Sequence, residues 1–162
     1  MAAAVANELE ALVTPVVDKL ITMMGAARDA FNRHSRGSLE DLKKQRLATV
    51  QELKGISTKM EAELPRQSEA EKFALSRLCN VLSHLEVIAD TIGGLEEPIQ
   101  KKIKDGVLFS DKAVAQTNYL FDQHTGMIRS ILDIIKTDNE FLKKYVTEEG
   151  YNLVRACGDY AT

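Results

Sequence analysis

Apolar side chains recur every three or four residues along almost the whole of this 162-residue chain, and that spacing constrains the fold more than any other feature. Leu9, Leu12, Val16, Leu20, Met23, Ala27 and Phe31 form one such stripe. At about 100° per residue, positions three and four apart share one face of an α-helix, so a stripe of this kind predicts an amphipathic helix. The punctuation of the chain agrees. Nine glycines, three prolines and no tryptophan are too few turn formers and large rings for a sandwich or barrel. The predicted class is therefore all-α, an antiparallel bundle of long helices joined by short turns.

The first helix is expected to run to Gly37, with Pro15 either opening a helix capped by Thr14 or kinking a longer one. A second begins at Ser38, where SLED (Ser38 to Asp41) has the spacing of a capping box, and carries Leu39, Leu42, Arg46, Val50, Leu53, Met60 and Leu64 before Pro65. A third begins at the stronger box SEAE (Ser68 to Glu71) and carries Leu75, Leu78, Leu82, Leu85, Ile88 and Ile92. It ends or kinks between Gly93 and Pro98 and continues as a helical extension to Gly106. A fourth spans Ser110 to Thr137, and a fifth starts at Asp138 and is still helical in pattern at Thr162, which suggests a piece of something longer. SLEDLKK at Ser38 aligns with DNEFLKK at Asp138 at an offset of 100 residues, a weak internal repeat. The expected organisation is a three-helix unit, 1–106, with two helices of a second unit, 107–162, packed on it as one structural domain.

Charge and motifs exclude several functions. A net charge of −3 argues against a nucleic-acid partner. No apolar run is long enough to span a membrane, and the opening MAAAVA lacks the basic flank of a signal peptide, so the chain is expected to stay out of the bilayer. Cys79 and Cys157 read as reduced, partly buried thiols of a cytoplasmic protein. No phosphate-binding glycine loop, GxSxG, CxxC or HExxH occurs. Of the three histidines, His34 sits at a helix C-terminus, where a cation suits the dipole, and His124 reads as a hydrogen-bonded boundary residue of the fourth helix.

The most specific feature is HLEVIADTI, His84 to Ile92. Glu86 and Asp90 are four apart and project from one flank of the third helix, together with Cys79, Ser83 and Glu97, while His84 falls on the opposite flank. Two carboxylates so placed are candidate ligands for a divalent metal or iron, although no cofactor is demanded and an acidic pair is ordinarily a solvated face.

The stretch SRLCNVLSHLEVIADTI resembles the signature of the PhoU family of phosphate-uptake regulators, close to LERIGDxxxxI. Leu85, Glu86, Ile88 and Asp90 fit it, whereas Val87 and Ala89 replace its Arg and Gly. TEEGYNLVRACGDYA is similar to a helix in the cytoplasmic region of bacterial sodium/phosphate cotransporter-like proteins. The resemblance implies a PhoU-like three-helix unit plus a partial second one, and a non-enzymatic regulatory or interaction domain in phosphate transport. It implies a transporter or membrane-transport complex protein as partner, and metal ligation at Glu86 and Asp90 completed by acids of the second helix. The nearby acids there, Glu52, Glu61 and Glu63, do not fall clearly on the family positions. Alternatives are a generic oligomerisation or signalling bundle and a metal-dependent phosphatase-like enzyme. Because Leu142, Val146, Leu153 and Cys157 of the fifth helix would lack a cover, a homodimer burying that helix is expected.

Overall fold

The computed structural model describes residues 2–161, with side chains described from Glu8 onward; Met1 and Thr162, and the side chains of the opening apolar run, lie outside the described residues. Six α-helices follow one another, with no strand among the described residues: α1 (Ala2–Arg33), α2 (Arg36–Glu63), α3 (Glu69–Gly93), α4 (Glu96–Lys104), α5 (Asp111–Thr137) and α6 (Glu140–Tyr160). A 3-10 turn at Leu64–Arg66 joins α2 to α3, because Pro65 lacks the N–H that would extend α2. The all-α bundle read from the periodicity is the fold.

The central element is α1. Val13, Val16, Val17, Leu20, Met23, Ala27 and Ala30 are buried on a face broad enough to receive α2, α3, α4 and α5 together. Leu42 and Leu53 of α2 and Leu82, Leu85 and Ala89 of α3 complete this core. The neighbours are antiparallel. Lys19 pairs with Glu52 and Ser38 donates to Asp29 between α1 and α2. Arg28 pairs with Asp122 and Lys136 with Glu10 between α1 and α5. The last helix, α6, packs on α5.

Several expected boundaries move. α1 runs through Pro15 without a break, and it ends at Arg33 rather than Gly37. His34 turns the chain in the left-handed region (φ 54°), and Ser35 is the cap of α2, its Oγ accepting from the Ser38 N–H at 3.1 Å. Ser38 therefore lies inside α2, and SLED is not a capping box; the Ser38 hydroxyl instead donates to Asp29 Oδ2 at 2.5 Å. The box at Ser68 is real: the Glu71 carboxylate accepts from the Ser68 N–H at 2.9 Å and from its hydroxyl at 2.5 Å. These bonds hold the Glu71 carboxyl below the usual carboxylate range. The third helix ends at Gly93, and the extension is the separate helix α4, with Pro98 in its first turn. Ser110 caps α5 by accepting from the Ala113 N–H at 3.2 Å. α6 starts at Glu140, two residues later than expected, with its cap Asn139 accepting from the N–H groups of Phe141 and Leu142, and it closes at Tyr160.

Asp138, which ends α5, also sits in the left-handed region (φ 48°). A side chain there costs roughly 1 kcal/mol that glycine does not incur. Its carboxylate pairs with Lys143, but both groups are exposed and Lys143 also holds Glu140. Asp138→Gly is therefore expected to raise stability by about 0.5–1 kcal/mol in chemical denaturation.

Candidate docking groove

The carboxylates singled out in the sequence lie where α3 passes α2, and α2 meets them with cations. Glu86 is 3.4 Å from Lys54 Nζ, and Asp90 accepts from Arg46 Nε and Nη2, each at 3.1 Å. A third pair, Lys43 with Glu96 at 3.1 Å, continues the row on α4. A divalent ion at Glu86 and Asp90 would have to displace Lys54 and Arg46. Among the described residues, no three His, Cys, Asp or Glu side chains converge as a metal site. Of the acids of α2 that could have completed one, Glu52 pairs with Lys19 of α1. Gly93 belongs to the same arrangement: a Cβ there would lie 2.1 Å from Arg46 Cδ, so the bare backbone lets the Arg46 stem cross α3.

The histidines and cysteines do not form a site together. The His124 ring meets the Leu120 carbonyl at 2.7 Å, as a boundary histidine would, and His84 is exposed. Cys79 is half-buried, and burial together with the Glu61 charge pushes its thiol up. Cys157 is exposed, not partly buried as expected, and both cysteines are free.

A concave feature lies between α3 and α6, over α5. It is an open apolar groove of about 570 Å³, and no Asp, Glu, Lys or Arg lines it. Val87, Ile88 and Ile92 of α3 form one wall, and Val146 and Cys157 of α6 form the other. Leu120, Met127 and Ile131 of α5 form the floor. Val87 is 62% exposed and, on the outer shoulder of α6, Val154 is 72% exposed. Leu153, expected to lack a cover, is instead buried.

The groove has a structural cause in the repeat. The turn between α1 and α2 is a left-handed His34 followed by the cap Ser35; the turn between α5 and α6 is a left-handed Asp138 followed by the cap Asn139. The two hairpins therefore correspond with His34 on Asp138, one helical turn away from the register in which SLEDLKK meets DNEFLKK. In this register Leu42, Thr49 and Leu53 of α2 correspond to Val146, Leu153 and Cys157 of α6. The first hairpin receives α3 and buries Leu42 and Leu53 completely. The second receives no third helix among the described residues, so Val146 and Cys157 remain open.

Fold and site together define an all-α bundle with one filled and one unfilled helical hairpin. The sequence matches no protein-family model, and no curated protein or solved structure matches it.

Proposed function

We propose that this chain is a non-enzymatic interaction domain, and that its groove receives an amphipathic helix from a partner polypeptide. The observation that carries this is the charge-free groove of α5 and α6, at the position that α3 fills on α1 and α2. The occupant this fits carries apolar residues at the spacing of Leu78, Leu82, Leu85, Ala89 and Ile92, and polar residues elsewhere. Burying that stripe supplies the drive, since it removes apolar surface from water on both partners. The resemblance of Leu85, Glu86, Ile88 and Asp90 to the PhoU signature supports a regulatory role in phosphate transport, with the helix belonging to a transporter or a protein of its complex. A homodimer is the second reading, favoured by Phe141, Tyr145, Tyr151 and Val154, which α6 leaves exposed.

A synthetic peptide copying Glu69–Gly93, with serine in place of its own copy of Cys79, serves as the test helix. It is expected to raise the melting temperature and to slow the reaction of Cys157 with a thiol reagent, while Cys79, already slow, is unchanged. Val146→Glu should weaken binding roughly tenfold or more, because it places a charge on an apolar wall. A peptide that leaves Cys157 fully reactive would remove the docking reading. Sedimentation of the free chain as a dimer sensitive to Val146→Glu would replace the partner helix by a second copy. Phosphate uptake in cells carrying Val146→Glu tests the transport link, and uptake indistinguishable from wild type would sever it.

A further inference from the structure

A second exposed apolar feature shares no residue with the groove. The loop between α4 and α5 presents three consecutive apolar residues to solvent: Val107 (41% exposed), Leu108 (85%) and Phe109 (45%). Three adjacent exposed apolar side chains are costly for a soluble bundle unless something uses them.

The loop is built as a fixed tip. Gly106 leaves α4 in the left-handed region (φ 61°), and the Val107 N–H donates to the Lys102 carbonyl at 3.0 Å. The Val107 carbonyl lies 3.3 Å from His34 Nε2, and the Phe109 ring packs on Phe31 with centroids 5.6 Å apart. Leu108 is held outward between these two anchored neighbours.

The surroundings of the tip are cationic in a chain whose net charge is −3. Lys101 and Lys104 stand in the last turn of α4, and Lys112 in the first turn of α5. Arg33 and Arg36 flank His34 on the facing turn. Among the described residues, Lys101, Lys104, Lys112 and Arg36 make no ion pair, and Arg33 pairs only with Asp29 of its own helix. The acids next to the tip are Asp105 and Asp111, with Glu40 and Asp41 a turn further along α2.

We propose that this end of the bundle docks on an anionic phospholipid surface, with Leu108 and the edges of Val107 and Phe109 entering the interface and the lysines and arginines contacting headgroups. The chemistry is that of peripheral binding: a small apolar insertion that is weak alone, strengthened by attraction to negative lipid. No described helix is long and apolar enough to cross a membrane, and the contact proposed is that of the loop tip. It narrows the expectation that the chain keeps out of the bilayer altogether.

Because the chain has no tryptophan, Leu108→Trp makes a single-fluorophore reporter. Its emission is expected to shift to the blue with phosphatidylcholine vesicles containing phosphatidylglycerol, and to stay unchanged with phosphatidylcholine alone. Tyr151→Trp on α6 should show no shift with either. The triple change Lys101→Glu, Lys104→Glu, Lys112→Glu, on a surface where folding is unaffected, should lower vesicle partitioning roughly tenfold or more, as should added salt. Leu108→Ser in the otherwise unaltered chain should lower it too. An unshifted Leu108→Trp spectrum with the anionic vesicles would overturn the proposal and leave a protein as the occupant of the tip. Partitioning indifferent to both the charge reversal and Leu108→Ser would overturn it as well.

Discussion

Leu82→Ala is expected to lower the stability of the bundle by about 3 kcal/mol, within the usual range of about 2–5 kcal/mol for deleting a buried leucine. Leu82 is fully buried in the middle of α3, and helices α1, α2 and α3 share the core it occupies. Helix backbones flanked by such packing do not collapse readily on a void, so the loss combines transfer free energy with unfilled volume. Urea denaturation read by circular dichroism would measure it. A loss below about 1 kcal/mol would mean that α3 is not firmly seated in the first hairpin. The experiment also bears on the groove, because it measures what one leucine of a third helix contributes to a hairpin of this kind.

Lys102→Ala is expected to cost about 2 kcal/mol, a large effect for a lysine. Lys102 is buried, and its Nζ donates to the Phe31 carbonyl at 2.8 Å, a carbonyl that the end of α1 leaves without a helical partner. The ammonium lies 4.7 Å from the Phe31 ring centroid and 5.7 Å from that of Phe109, and 2.9 Å from His34 Nε2. Alanine would remove the donor, the ring contacts and the packed stem together. Lys102→Met keeps most of the stem and should cost about half as much. Burial holds the Lys102 amine below the usual lysine range. As pH rises, the folded form releases this proton before the unfolded chain does. Over that interval the unfolded state binds more protons, and stability from this group increases with pH. Lys43, raised by its bond to Glu96, acts in the opposite sense and loses its contribution as pH rises through its folded value. The wild type should therefore gain on Lys102→Met as pH climbs towards the lysine range, measured as the difference between their denaturation curves. A difference that shrinks over that range would contradict the assignment.

Much of the helical framework could be read from the sequence because it is decided locally. The stripes of α1 and α3, the cap Ser68 and the helix start at Ser110 depend on residues within one or two turns. Ser35 was hidden by a better-looking neighbour: SLED has the letters of a capping box, but the left-handed His34 puts the extended backbone of the cap at Ser35. Lys102 and Thr49 are buried although their types predict exposure, since a carbonyl at the end of α1 and the close meeting of helices are long-range facts. The same holds for the carboxylates. That they share one flank of α3 follows from helical geometry, but what faces that flank does not. Arg46 was placed on the apolar stripe of α2, and only its extension across Gly93 shows that it serves Asp90. Cys157 is uncovered as its place on the α6 stripe predicts, whereas Val146 is half-buried in the groove wall and Leu153, a short arc around α6, is buried.

The row of pairs Lys43–Glu96, Arg46–Asp90 and Lys54–Glu86 has a kinetic meaning. The leucines of α3 repeat every three or four residues, so sliding α3 by one turn along α2 would still match apolar side chains to apolar side chains. Such a slipped intermediate would be compact, long-lived and hard to tell from the correct one by hydrophobic contact alone. Because Glu86 and Asp90 lie one turn apart, the same slip would bring one carboxylate to the other's cation and leave the second cation of α2 without its partner. It would also draw the α3 end away from the Lys43–Glu96 pair that fixes the start of α4. Each pair is partly exposed and contributes little to the final stability. Together they make slipped arrangements rise in free energy relative to the native one, so the search for register ends quickly and in one place.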